Sequence, residues 1–201
     1  MRFTMVENSL SAAGFLLLII ADFLWTKGKN VAKELRNAGY LLVGAAVLLF
    51  ALAPDPWWPL EAPAGAASFQ PGASPSPLGA ALLILIIAAS CILLFWSVFL
   101  EISIVKRKRG LGPDSIVSSG TYRWCRHPGF WWFATLMVAI GAMRGFSGYY
   151  LTILLLIALD LLLIFIQDRY TFPKVFCGYE AYKKSVPFLI PRIGARWSRR
   201  D

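Results

Sequence analysis

Long apolar runs alternate along this chain with short polar, basic connections. Five runs stand out, at 9–25, 38–53, 78–105, 129–143 and 148–166. The hydrocarbon core of a bilayer takes about 20 apolar residues in a helix, with roughly 17 as the lower end. The first, third and fifth runs meet that length. The second and fourth are marginal, and would borrow flanking residues or stand with little tilt. In lipid each run must be helical, because no water is there to satisfy an open backbone. The pattern predicts an all-α, polytopic membrane protein of about five transmembrane helices, forming one domain over 1–201. The first run does not read as a cleaved signal: only Arg2 precedes it, and Lys27 and Lys29 follow where a small-residue cleavage site would stand.

Composition sharpens that picture. The chain is 58% hydrophobic and only 15% charged, where a soluble domain is about a quarter charged. The net charge of +9 is unevenly placed. Lys27, Lys29, Lys33 and Arg36 follow the first run; Lys106, Arg107, Lys108, Arg109, Arg123 and Arg126 follow the third. Arg169, Lys174, Lys183, Lys184, Arg192, Arg196, Arg199 and Arg200 follow the fifth, leaving only Arg2 and Arg144 elsewhere. Five helices with the N-terminus outside and the C-terminus cytoplasmic put these three groups on the cytoplasmic face, as lysine and arginine bias requires. The charge then reads as a membrane-surface feature that favours anionic headgroups, and no nucleic-acid partner is needed to explain it. The connection 54–77, rich in Pro, Ala, Gly and Ser, reads as an external extended loop with Trp57 and Trp58 at the interface. Cys91, Cys125 and Cys177 form no CxxC or Cys/His spacing, so neither a metal site nor a disulfide framework is expected.

Candidate chemistry concentrates in 119–132, a basic and aromatic segment between two apolar runs that holds the only histidine, His127. Arg123, Arg126 and His127 are donors suited to anionic or carbonyl groups. Tyr122 and Trp124 offer ring faces for a flat base or a cation. Pro128 stops the preceding residue from continuing a helix and suits the first position of a new one. On residue types alone the segment reads more readily as an interfacial anchor. A second polar segment comes after the fifth run: Gln167-Asp168-Arg169, then Tyr179 and Tyr182 at helical spacing, then Val186-Pro187-Phe188-Leu189-Ile190-Pro191.

Together these segments resemble the membrane methyltransferases related to isoprenylcysteine carboxyl methyltransferase and phospholipid N-methyltransferase. Tyr122, Arg123, Arg126, His127, Pro128 and Phe130 match the family's Y-R-x-x-R-H-P-x-(Y/F). Gln167 and Asp168 fall at its two-glutamate position, Tyr179 and Tyr182 at its tyrosines, and Val186, Pro187, Ile190 and Pro191 at its V-P-x-x-I-P ending. The match covers roughly 110–192. The resemblance implies methyl transfer from S-adenosylmethionine to a membrane lipid or lipidated substrate, with 106–128 and 167–201 closing over the cofactor on the cytoplasmic side. It implies cofactor binding by Tyr122, Arg123, Arg126, His127, Pro128, Tyr179 and Tyr182, catalysis by Asp168 and Arg126, and substrate contact by Phe130, Trp131, Gln167 and Asp160. An apolar tunnel is expected near the fourth and fifth spans. Loss of Arg126 or His127 is expected to remove cofactor binding and leave the bundle folded.

Departures from the pattern matter. Gln167 cannot act as a base, so an amine substrate would have only Asp168 to take its proton, whereas a carboxylate substrate ionises by itself. Those letters tilt slightly toward the latter. Asp168 also reads as an ion-pair partner of Arg126 or Arg169. Phe130 lacks the usual tyrosine hydroxyl, and Trp131-Trp132 replaces a small residue. Among the intramembrane acids, Asp22 and Glu101 sit near the basic ends of their runs, where reaching water or pairing with Lys27 or Lys106 accounts for them. Asp160 lies deeper, either lining a cavity or making an interhelical hydrogen bond. No strand followed by GxGxxG exists, which excludes a soluble dinucleotide-binding fold. Two alternatives remain. One is an NADPH-dependent sterol-type reductase, whose R-H-P and R-D patterns are similar, although Gly129 stands where asparagine is expected. The other is a non-catalytic membrane protein.

Overall fold

A computed structural model describes residues 2–52, 75–144 and 150–191. Among these there is helix and no strand. Helix α1 spans Arg2–Trp25 and α2 Val31–Leu52. Helix α3 runs without a break over Pro77–Arg109, α4 over Pro128–Met143, and α5 over Tyr150–Val175. A short α6, Tyr179–Ser185, comes last. The helices α1, α2, α3 and α5 are each long and apolar enough to cross a membrane, and α4 is shorter. The outer wall is apolar: Leu41, Leu52, Leu78 and Ile92 are each at least two-thirds exposed. Such a surface is suited to lipid, not water. The expected loop with Trp57 and Trp58, and Arg192, Arg196, Arg199 and Arg200, lie outside the described residues.

Several boundaries differ from the apolar runs. Helices α1 and α2 begin about two turns earlier than 9 and 38, because a helix continues through polar residues; Glu7 of α1 is turned inward, while Lys33, Glu34 and Asn37 of α2 are exposed. Lys106, Arg107, Lys108 and Arg109 form the last turn of α3, not a loop. At 33 residues that helix is about 50 Å long, against about 30 Å of hydrocarbon in a bilayer, so a membrane that held its apolar part would leave its basic end outside. It stops at Gly110, whose φ of +62° is the left-handed conformation that closes helices. At its other end Pro77 occupies the first turn and Ser76 Oγ accepts from Gly79 N at 3.2 Å.

Helices α1 and α2 pack antiparallel across glycines. A Cβ on Gly14 would lie 2.8 Å from Val43, and one on Gly39 would lie 2.8 Å from Leu18 and 3.0 Å from the Gly14 carbonyl oxygen. Small residues let two backbones approach this closely, as transmembrane pairs do. Phe15, Leu18, Phe50, Phe133, Met137 and Leu156 fill the core between α1, α2, α4 and α5. The antiparallel order brings the link 26–30, the end of α3 with the segment after it, and the tail beyond α5 to one end. Trp25 packs edge-on against Phe176, and Cys177 N donates to Asp114 O. The basic connections are therefore gathered at one end of the bundle.

Gly14→Val and Gly39→Val should each destabilise the protein by about 1–3 kcal/mol, the usual effect of overpacking. Thermal unfolding in detergent should show a lowered midpoint for both, with Gly44→Val, where a Cβ meets nothing within 4 Å, left near wild type.

Candidate active site

The segment 119–128 is fastened at both ends. Helix α3 widens into a π-helical stretch over Trp96–Glu101, and α5 does the same over Gln167–Thr171. A π turn opens the helix wall and is frequent at functional sites. From the first stretch, the Glu101 carboxylate accepts Thr121 N at 2.7 Å and also the Thr121 hydroxyl, while the Ser97 carbonyl accepts Tyr122 OH at 2.9 Å. Gly120, at φ +62°, lies so close that any Cβ would run into Glu101 Oε1. Glu101 is thus neither at water nor paired with Lys106. It is buried because its partners are backbone and hydroxyl donors of the segment it holds.

From the second stretch, Asp168 is the hub. Arg126 Nε and Nη2 donate to its two oxygens at 2.6 and 3.0 Å, and Tyr179 OH donates at 2.8 Å. Arg126 Nη1 donates onward to the Val186 and Lys183 carbonyls at 2.6 and 3.1 Å, and Arg126 N donates to Pro187 O at 3.0 Å. Tyr182 OH donates to Tyr122 O at 2.7 Å. The two motif segments, far apart in sequence, therefore form one hydrogen-bonded unit. Tyr179, Tyr182 and Val186 are buried together in a small apolar cluster with Ile116, Phe172 and Phe176 beside it. Burial pushes the Tyr122, Tyr179 and Tyr182 phenols up, with the nearby carboxylates adding to the effect, so all three remain donors.

His127 caps α4 immediately before Pro128. Its ring stacks on Phe172 at 5.8 Å and meets Phe188 edge-on at 5.2 Å. Nε2 faces Asp168 Oδ1 at 3.5 Å, too far for a full hydrogen bond, and is buried without a hydrogen-bond partner. Burial lowers the imidazole below its ordinary value of 6.5, and Asp168 only partly offsets this. The ring is neutral at pH 7.

Behind this unit a cavity of about 600 Å³ runs from the basic end into the bundle. Its volume falls in the range of small-ligand sites, about 300–1,000 Å³. Tyr122, Arg126, His127, Pro128, Phe130, Asp160, Gln167, Tyr179 and Tyr182 all contribute to its wall, together with apolar residues of α1 to α5 such as Phe15 and Leu136. Three expected site residues do not. Arg123 is exposed on the single 3₁₀ turn Gly120–Arg123, Trp131 points outward and donates from Nε1 to Leu189 O at 2.9 Å, and Asp168 lies behind the wall. Arg126 itself is largely committed to Asp168 and the tail, so its loss removes contacts that hold three stretches of chain together as well as a part of the cavity wall.

Sequence reasoning missed residues from the first helices. Asp22 is 2% exposed, not at water or on Lys27; its Oδ1 lies 3.7 Å from Arg36 Nη2, and Gln167 faces the same carboxylate. Arg36, Tyr40 and Lys106 join it in the wall. One signal was readable: two antiparallel helices joined by the short link 26–30 bring together residues at similar distances from the link. No family model, no curated protein and no solved structure matches the chain, so the resemblance rests on its motif letters alone.

Arg126→Ala should destabilise the protein by about 3–5 kcal/mol, since it strands a buried carboxylate. The pair Arg126→Met with Asp168→Leu should recover much of that loss in thermal unfolding. Protonating a histidine whose pKa is lowered by folding costs stability, and the unfolded chain binds the proton more readily. Wild type should therefore lose stability as pH falls through 6.5, and His127→Gln should lose less over the same range.

Proposed function

We propose that this protein is a multi-pass membrane methyltransferase that uses S-adenosylmethionine to methylate a lipophilic substrate. The basic end of the bundle would face the cytoplasm, as the bias of lysine and arginine toward that side of a membrane suggests. The observation that carries the reading is the union of Arg126-His127-Pro128 with Asp168, Tyr179, Tyr182 and Val186 at the mouth of a cavity whose interior is largely apolar. A polar mouth over an apolar body suits a polar cofactor beside a greasy substrate.

The residues present fit such a cofactor, with roles shifted from those the motif implies. His127 lines the cavity with its ring packed against Phe172 and Phe188, so it offers a neutral wall at the mouth. Lys106 uses one proton on Pro113 O and retains two for a carboxylate. Phe172 and Phe176 offer ring faces for an adenine. Arg126 and Asp168 act as positioning residues, holding the His127 backbone and the tyrosines in place. When bound, S-adenosylmethionine supplies an electrophilic methyl group on a sulfonium. The chain's own contribution is to hold two reactants in line and exclude water. The neutral His127 avoids placing a positive charge beside the sulfonium. Tyr122 and Tyr182, kept protonated by burial, offer oxygen lone pairs without becoming competing nucleophiles.

Calorimetry on detergent-purified protein should show saturable binding of S-adenosylmethionine and of its demethylated product, and none of NADPH. His127→Ala, which removes a ring from the cavity wall, should weaken S-adenosylmethionine by about tenfold or more in protein that still unfolds cooperatively at pH 8. Binding of NADPH alone would replace this reading with the reductase. Binding of neither by folded protein would leave the non-catalytic one.

A further inference from the structure

A second hollow, of about 590 Å³, opens at the turn from α1 into α2. Lys29, Asn30, Lys33, Glu34 and Arg36 line it, with Trp25 beside them. Both lysines are exposed, and among the described residues neither enters an ion pair. Arg36 is held mainly by stacking: its guanidinium lies 4.2 Å over the Trp25 ring, and its Nη2 stands 3.7 Å from Asp22 Oδ1. That second distance is beyond hydrogen-bond length, so the guanidinium keeps donors for a ligand. Elsewhere at this end, Arg126, Lys106 and Lys174 are engaged within the protein, on Asp168, the Pro113 carbonyl and the Tyr170 ring.

The apolar span of α1 ends at Trp25 and that of α2 begins at Val31. In a bilayer that held both spans, the link between them would lie where hydrocarbon gives way to headgroups, the level at which tryptophans gather. Three cations against the single carboxylate of Glu34 favour an anion. The lysines supply compact charges, and Arg36 a planar fork that matches phosphate oxygens. Leu41 and Leu48 follow Glu34 at two-turn intervals, so they continue the same side of α2, and both are exposed. That side offers acyl chains an apolar face. We infer that this hollow binds the phosphate of an anionic membrane lipid, whose acyl chains run along that face of α2. A zwitterionic headgroup would bring a cation of its own beside Lys29 and Lys33. A mere excess of basic residues spreads attraction over a surface, whereas the hollow localises it. The site stands apart from the methyl-transfer reading: Lys29, Asn30 and Lys33 belong to neither motif segment nor the cavity wall.

The test is native mass spectrometry of the full-length protein in detergent, with equimolar dioleoylphosphatidylglycerol and dioleoylphosphatidylcholine added. The readout is the ratio of the two lipids bound to folded protein ions, which loss of material in an unstable variant does not move. A lysine near an anionic surface is worth about fivefold, so wild type should favour the phosphatidylglycerol by about tenfold or more. Lys29→Gln with Lys33→Gln should bring the ratio near one, and Lys29→Arg with Lys33→Arg should keep it. Lys108→Gln with Arg109→Gln removes the same charge from the exposed end of α3 and should leave the ratio within about twofold of wild type. A wild-type ratio near one, or a ratio indifferent to Lys29→Gln with Lys33→Gln, would overturn the site. An equal fall in the α3 variant would also overturn it, by showing diffuse charge alone. Displacement of the lipid by glycerol phosphate at equal concentration would overturn the lipid as occupant.

Discussion

The buried pair of Arg126 and Asp168 is the constraint on which the working end of this protein depends. A charge taken out of water must be paired and its remaining hydrogen-bonding capacity filled, and here both conditions are met by three separate stretches of chain. The α5 helix brings the carboxylate, the segment before α4 brings the guanidinium, and the tail brings the Tyr179 hydroxyl and the carbonyls of Lys183 and Val186. An apolar pair of the same shape would often be at least as stable. What the ion pair supplies is directional: a set of polar contacts that only one arrangement of the three stretches can satisfy at once. His127 and Pro128 come directly after Arg126, so the start of α4 is placed by the same bonds.

The acids of the protein divide by what their partners leave free. Glu101 and Asp168 are fully engaged, and each fastens one edge of the 119–128 segment to a helix. Asp22 and Asp160 sit in the cavity wall, and Asp22 keeps an oxygen unpaired. The motif letters draw attention to Asp168, the acid with least capacity to meet a ligand. The acids that do line the cavity, Asp22 and Asp160, are ones that no motif marks.

Much of the fold was legible because membrane helices announce themselves by length and hydropathy, and because the basic residues cluster in the connections. The inclusion of Arg126, His127, Tyr179 and Tyr182 in one unit was legible from the paired motifs. The rest was hidden for identifiable reasons. Counting apolar residues ends a helix at its first polar ones, yet Glu7 is a polar residue turned inward. Which way Arg123 and Trp131 point depends on a single 3₁₀ turn and on the Leu189 carbonyl, neither of which residue type reveals. The partners of Asp22 and Glu101 lie across helices, so local sequence suggested the nearest lysines and the geometry chose others.

The two π-helical stretches have a consequence for how this sequence can change. Each widened turn accommodates a residue that an α-helix would not, so the register of everything beyond it is offset. One residue more or less in an α-helix rotates the remainder of that helix by about 100°. Removing a residue from within Trp96–Glu101 would let α3 close up, but Ser97 and Glu101 would then no longer face Tyr122 and Thr121 together. The same holds for Gln167 and Asp168, one of which faces the cavity and the other Arg126. A one-residue insertion or deletion in either turn would therefore part the side chains that meet there, whereas a substitution leaves the register unchanged. The spacing of the chain there is a heritable trait in its own right, separate from the identity of any residue within it.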